Sequence, residues 1–323
     1  MRPVPANVRR NRFEPRNRNL LTRTLHQRRL VLKIYSSVKN RRNKLLICWA
    51  VAGLAVAGLL GFIIFDAIIL EPNWINVDRV VIGNDRLSRV LGDTTIAQIS
   101  DLHLRGKLGF KEEELIRRLN NLNPDIIVVT GDLMEDDDAE PLVKEFFSRL
   151  KPKLWSYGIL GNSDRKYLNN SGYKQIWRRA GLSMIGGSCR PMGGEGNAIF
   201  WLGGIDFPGY DFPGVEDEID RILESVPSGA PLIFLSYDPD LAPILIEKGV
   251  DLVLSGDTHG GIIGIPGWGM IFHEFFGRSE FVRGLFRIGE GYLYVNRGIA
   301  TKVLPVRFLC PPEITLFTFR PAE

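Results

Sequence analysis

The pattern of apolar and polar positions divides the chain into three textures. From Leu45 to Phe65 it reads LLICWAVAGLAVAGLLGFIIF, 21 residues without a charge. A helix of that length rises ~30 Å, the thickness of a bilayer's hydrocarbon core. The run predicts a transmembrane helix over residues 45–70, between a basic tail at 1–44 and a folded domain at 71–323. A buried core helix competes with this reading, but such helices seldom run so far without a polar position. From about Asp78 the pattern changes to short apolar runs ending in polar clusters: TTIAQIS (94–100), DIIVVTGD (125–132), LWSYGILGN (154–162), AIFWLGGID (198–206), PLIFLSYD (231–238) and VDLVLSGDTH (250–259). Amphipathic stretches with helical spacing, such as Lys111–Asn121 and Val215–Ser225, lie between them. Continuously apolar strands alternating with helices predict an α/β architecture whose sheets are covered on their faces.

Charge sharpens this division. Residues 1–44 carry fourteen Lys or Arg against one acid, Glu14, so the tail is +13 and the rest of the chain −9 within a total of +4. By charge run alone the tail reads as a disordered basic segment, or as an arm adsorbing on anionic lipid at about 1 kcal/mol per cation. It lacks interleaved aromatics, and no nucleic-acid partner is expected. Arg41, Arg42 and Lys44 precede the apolar run while Glu71 and Asp78 follow it. The positive-inside rule then puts the N-terminus in the cytoplasm of a single-pass protein of the cell membrane, with the large domain exoplasmic. A cleaved signal peptide competes, because Ala-Val-Ala occurs at 50–52 and 55–57. Three scattered cysteines (Cys48, Cys189, Cys310) suit neither a disulfide framework nor a zinc cluster.

Candidate chemistry sits where the apolar runs end. Asp101 and His103 follow the first as D-L-H, Gly131-Asp132 the second and Gly161-Asn162 the third. Tyr237-Asp238 and Gly256-Asp257-Thr258-His259 follow two later ones. Carboxylate, imidazole and amide groups at the C-terminal ends of successive strands converge on one edge of an α/β sheet. Glycines there let the chain turn sharply. Singly, each piece is also a common loop sequence.

In this order and spacing the pieces resemble the calcineurin-like metallophosphoesterases, whose blocks run D-x-H, G-D, G-N-H-(D/E), H and G-H-x-H. The resemblance covers about residues 93–319. The tail YLYVNRGIATKVLPVRFLCPPEITL is similar to that of the family's membrane-associated branch, which includes enzymes acting on lipid-linked substrates such as UDP-diacylglucosamine. It implies a four-layer α/β/β/α sandwich, here preceded by one transmembrane helix, and one or two divalent ions (Mn, Mg or Fe). By the family pattern Asp101, His103, Asp132 and His259 hold the first ion. The second would share Asp132 and add Asn162, but the two remaining histidine positions read Tyr237 and Asp257. The family's charge-stabilising histidine after the asparagine is Ser163.

The chain has four histidines, His26, His103, His259 and His273, and the ordinary dinuclear site with its catalytic histidine needs five. Asp257 keeps a ligand but exchanges nitrogen for anionic oxygen, which favours harder ions. Tyr237, with an ordinary pKa of about 10, is expected to pack or hydrogen-bond beside the site rather than ligate. Asp164 is the candidate to take over proton transfer, with Asn162 beside it. Two functions follow: metal-assisted hydrolysis of a phosphodiester or pyrophosphate on a phosphorylated, lipid-linked substrate, or a pseudo-phosphoesterase that binds metal or phosphate as an adaptor. The aromatic-rich stretch 262–286 reads either as a loop capping the core or as an apolar lid against a bilayer or acyl chain.

Overall fold

The computed structural model describes residues 18–168, 172–194, 197–209, 212–265, 269–270, 279–301 and 305–322. They belong to two compact units, residues 1–63 and 64–323. Over its described residues the first unit is formed by helix α1 (Arg18–Phe65). The helix starts well before the apolar run, so residues 18–44 are helical where charge alone predicts a disordered tail. The reason is local: that stretch has neither Gly nor Pro and is rich in Arg, Leu and Lys, which are good helix formers. Large apolar side chains of the 45–65 segment stand exposed, Trp49 at 75% and Leu54 at 74%. A core helix would bury them. A helix facing lipid would not. By length and composition α1 is able to cross a membrane.

The second unit contains two six-stranded sheets. The first comprises β1 (Asn76–Gly83), β2 (Ile96–Ile99), β3 (Ile126–Thr130), β4 (Trp155–Ile159), β5 (Leu182–Met184) and β14 (Glu313–Arg320), in the order β1-β14-β2-β3-β4-β5. The second comprises β6 (Ser188–Gly194), β7 (Asn197–Ile205), β8 (Leu232–Ser236), β9 (Leu252–Ser255), β12 (Gly284–Ile288) and β13 (Gly291–Val295), in the order β12-β13-β9-β8-β7-β6. A short pair, β10 (Gly264–Ile265) and β11 (Gly269–Met270), stands apart from both. The helices are α2 (Asp85–Leu91), α3 (Phe110–Leu122), α4 (Glu140–Ser148), α5 (Asn162–Tyr167), α6 (Tyr173–Arg179), α7 (Val215–Leu223) and α8 (Ala242–Glu247).

The continuous apolarity of the central strands follows from burial on both faces, since successive side chains point oppositely. Ile96, Ile126 and Val128 pack between the sheets against Leu235, Leu252 and Leu254. Their neighbours Ala97, Ile127 and Val129 pack outward against Leu115, Leu119, Phe146 and Trp177 of α3, α4 and α6. On the far side Phe234 and Val253 pack with Ile219, Ile222 and Leu245 of α7 and α8. The layers run helix, sheet, sheet, helix, the four-layer sandwich that the family resemblance implies.

Strands β2, β3 and β4 are mutually parallel, as are β7, β8 and β9, so their carboxyl ends carry the connecting loops. Buried Gln98 ties the sheets together beside those ends. Its amide donates to Ser255 O at 2.9 Å and Thr130 Oγ1 at 3.1 Å.

Candidate metal centre

Five of the eight non-glycine residues with positive φ among those described are candidate ligands: Asp101 (51°), His103 (43°), Asp132 (52°), Asp257 (70°) and His259 (49°). A side-chain-bearing residue held there costs of order 1 kcal/mol or more, and persists only where its surroundings enforce it. Backbone bonds across the loops do so. Asp101 N donates to Gly131 O at 3.0 Å and His103 N to Asp132 O at 2.9 Å, while Ile299 N and Ala300 N donate to Ser100 O and Asp101 O. Gly298 (φ 68°) makes room, since a Cβ there would lie 2.8 Å from Asp101 Cβ.

The loops bring Asp101, His103 and His259 together, with one ligating atom from each within 4.8 Å of the others. The two Nε2 atoms lie 3.4 Å apart, and His259 Nε2 is 3.7 Å from Asp101 Oδ1. Each ring is oriented from behind. His103 Nδ1 bonds the Glu135 carboxylate, and His259 Nδ1 donates to Ala300 O at 3.2 Å. With Nδ1 committed outward, both Nε2 atoms turn toward the same point, as metal-binding imidazoles do. Asp101 is fully buried, and neither carboxylate oxygen has a donor in good geometry beyond the neighbouring Ser100 hydroxyl, which also reaches Thr130 O. Burial, and after it the charge of Asp132, pushes its carboxyl up to about 7. A buried carboxylate so short of donors is strongly destabilised unless a cation faces it. The donor set therefore fits one divalent ion held by Asp101, His103 and His259.

Asp132 borders this cluster, with Oδ2 3.3 Å from His103 Nε2, but its oxygens serve protein donors. Oδ1 accepts from Ser163 N at 2.8 Å; Oδ2 accepts from Tyr237 Oη at 2.8 Å and Ser163 Oγ at 3.2 Å. Burial first, then the carboxylates of Asp257 and Asp132, hold the Tyr237 hydroxyl well above its ordinary pKa, so it remains a donor. The ring is wedged over glycines: a Cβ on Gly131 would meet Tyr237 Cδ2 at 2.6 Å, and one on Gly161 would meet Cε2 at 2.8 Å. A phenol hydroxyl and a serine thus occupy the side of Asp132 that would face a second ion. The residues do not fit that ion.

Asp164, the candidate proton carrier, is fully buried; its Oδ1 accepts from Leu133 N (2.8 Å) and Met134 N (2.9 Å), and its Oδ2 accepts from Gly161 N (2.9 Å). Both oxygens accept from backbone, so Asp164 ties the Asp132 and Asn162 loops together. Burial and Asp132 raise its pKa to about 7. Asn162 opens α5, and its Oδ1 accepts from Ser163 Oγ at 3.3 Å. Asp257 lies on the Tyr237 side, in hydrogen-bonding reach of that hydroxyl.

Two supporting residues escape a motif-based reading. Glu135 was signalled only by an acidic run, EDDD, after Gly131-Asp132. Buried Arg307 donates to the carbonyls of Arg297, Gly298, Ala300 and Cys310 at 2.6–3.1 Å, clamping the loop that supports Asp101 and His259. Of the aromatic stretch, Trp268, Phe272, His273, Phe275 and Phe276 lie outside the described residues, while Phe281 and Phe286 pack edge to face at 5.1 Å.

Comparison with known proteins agrees with the geometry. The family model for calcineurin-like phosphoesterases matches residues 94–261. The metallophosphoesterase YkuE of Bacillus subtilis is 28% identical over 78% of this chain and 87% of its own length. A transmembrane protein with metallophosphoesterase domain from Danio rerio is 27% identical over 75% of this chain and 57% of its own. The UDP-2,3-diacylglucosamine pyrophosphatase LpxG of Chlamydia trachomatis is 28% identical over 76% of this chain and 90% of its own. With the family model spanning more than half of its length, the two-sheet sandwich and the strand-end cluster in place, this chain belongs to the calcineurin-like phosphoesterase family.

Proposed function

We propose that this protein is a membrane-anchored, metal-dependent phosphoesterase that hydrolyses a phosphodiester or pyrophosphate bond in a lipid-linked substrate, using a single ion. The observation that carries the proposal is the buried Asp101 carboxylate, which has no donor in good geometry beyond Ser100 and lies beside two imidazole Nε2 atoms turned to the same point. Asp101, His103 and His259 would hold the ion, with Asp132 at its edge; Mn, Mg and Fe are the candidates. Such an ion, when bound, supplies Lewis acidity toward a phosphoryl oxygen and a water of lowered pKa.

The chain's own residues provide the rest. Glu135 and Ala300 O fix the tautomers of the two histidines. Tyr237 and Ser163 hold the Asp132 side chain in place. Asn162 and Asp257 flank the site, and no histidine follows Asn162 to protonate a leaving group. One general acid is worth about 10²–10⁴ in rate, so slow turnover, or a preference for leaving groups of low pKa, is the expected signature.

Residues 45–70 act as the anchor in this reading, with the basic tail 1–44 cytoplasmic and the 71–323 domain exoplasmic, as the charge asymmetry favours. The lipid-linked substrate draws support from the exposed apolar face of α1 and from the named activity of the chlamydial relative. The test combines elemental analysis of the detergent-purified chain with hydrolysis of a chromogenic phosphodiester in Mn²⁺, Mg²⁺, Co²⁺ and Fe²⁺. Wild type should carry one ion per chain and turn over; Asp101→Asn should lose both. Metal binding with no hydrolysis above Asp101→Asn would establish the adaptor reading instead.

A further inference from the structure

Residues 66–75 follow the apolar run directly and belong to the second unit, where Ala67, Pro72 and Ile75 are buried. Ile75 shares the outer core with Leu102 and Ile299, the chain neighbours of Asp101 and Ala300. Ahead of Ile75 the segment grips residues 307–310. Arg307 N donates to Ala67 O at 2.9 Å. The Glu71 carboxylate takes two donors at once, Leu309 N on Oε2 at 2.8 Å and Cys310 N on Oε1. Backbone amides bound to a carboxylate make hydrogen bonds roughly twice as strong as neutral ones.

The other side of the same four residues meets backbone of two loops at the metal centre. The Arg307 guanidinium donates to Gly298 O at 3.1 Å and Ala300 O at 2.6 Å, and Ala300 O also receives His259 Nδ1. Phe308 N donates to Ile262 O at 3.1 Å. The Cys310 thiol lies 3.3 Å from Gly260 O and 3.5 Å from His259 O. Two bulky residues of this contact, Leu309 (φ 54°) and Ile262 (φ 60°), hold left-handed backbone. Such conformations persist only where the surroundings impose them. Burial does not impose it on Leu309, whose side chain is exposed. The Glu71 carboxylate does, together with Arg283 Nη1, which donates to Leu309 O at 3.0 Å.

We infer that Glu71 is a positioning residue of the metal centre. Through Leu309 and Cys310 it seats the segment that fixes the His259 loop and the Ala300 carbonyl behind the His259 ring. The stretch that leaves the bilayer in the anchor reading thereby also braces the ligands. This role rests on the metal centre proposed above and is independent of hydrolysis.

The test titrates the detergent-solubilised full chain with Co²⁺, reading the ion's visible absorption and, by competition with a fluorescent chelator, its Kd. Losing a group that orients a metal-bound histidine costs 10–100-fold in affinity, and Glu71 acts one contact further out, so Glu71→Ala should weaken Co²⁺ about tenfold and shift its bands. Glu71→Gln keeps one acceptor oxygen for two amides and should fall between Glu71→Ala and wild type. Asp125→Ala is the control, because Asp125 likewise holds a backbone amide, Thr95 N at 2.8 Å, but at the opposite, amino ends of β2 and β3. It should lower the melting temperature and leave Kd and spectrum unchanged. In the metal-free chain, hydrogen exchange over residues 259–262 and 298–300 should quicken in Glu71→Gln and not in Asp125→Ala. Glu71 variants that melt lower but keep the wild-type Kd and spectrum would reduce Glu71 to a structural contact and overturn the inference. An equal loss of affinity in Asp125→Ala would overturn it too. Should Glu71→Ala fail to fold, Glu71→Gln decides by the same comparison. A wild type that takes up no ion would overturn the metal centre and this role with it, whereas a loaded wild type matched by its Glu71 variants would overturn the role alone.

Discussion

Replacing Tyr237 by phenylalanine removes one oxygen at the point where this chain departs most from its family. The hydroxyl donates to Asp132 Oδ2 at 2.8 Å, and both residues are fully buried. A neutral donor to a buried carboxylate is worth about 1.5–3 kcal/mol. The packing that remains limits any additional cost. The ring would keep its seat over Gly131 and Gly161 and its edge-to-face contact with Phe207 at 5.4 Å. Asp132 would keep Ser163 N at 2.8 Å and Ser163 Oγ at 3.2 Å, so it would not be stripped of donors. The expected loss is therefore about 1.5–3 kcal/mol, equivalent to a fall in Tm of roughly 3–12 °C for a unit of this size. Circular dichroism melts of chelator-treated wild type and Tyr237→Phe measure it without contribution from metal. Elemental analysis should still find one ion per chain in both proteins. A loss below about 0.5 kcal/mol, or two ions in the wild type, would refute the argument that tyrosine stands in for the second cation.

Other outcomes follow from the same geometry. Saturating Mn²⁺ at a hundredfold excess over Kd should stabilise the wild type by about 2.7 kcal/mol, and Asp101→Asn should abolish the shift; an equal shift in both proteins would place the ion elsewhere. Glu135→Ala should weaken metal affinity about 10–100-fold by freeing the His103 ring, readable by competition with a fluorescent chelator. Gly131→Ala, at φ +97° with Tyr237 Cδ2 2.6 Å from the new methyl, should cost more than about 2 kcal/mol, whereas Gly229→Ala, at φ +76° with open space around it, should cost less in the same melts. Arg307→Met removes the guanidinium from four carbonyls, of which Gly298 O and Ala300 O keep Glu313 N and His259 Nδ1, and should destabilise by about 3 kcal/mol, with hydrogen exchange accelerating first over residues 297–300.

Much of this protein is readable from its order of residues because the relevant physics is local. Apolar runs mark the strands that form the central sheets, since a strand buried on both faces takes few polar positions and those, like Gln98, need buried partners; the runs at 125–132 and 231–238 became β3 and β8. Helical spacing over Lys111–Asn121 marked α3 within a residue at each end. The motif order named Asp101, His103 and His259, and counting histidines was enough to show that the ordinary dinuclear set is incomplete.

What tertiary structure alone decided concerns the use made of each group, because a carboxylate's role depends on which donors reach it across sequence gaps. Asp164 reads as a candidate proton carrier beside Asn162, and only the fold shows that Leu133 N and Met134 N, some thirty residues away, donate to its Oδ1. Tyr237 is expected from sequence to pack or hydrogen-bond beside the site, and only the fold names its partner, Asp132, a residue 105 positions earlier. Sequence determined which chemical groups the site has to work with. Packing of the two sheets determined which donors reach Asp101 and which reach Asp132, and the proposed single-ion site rests on that difference.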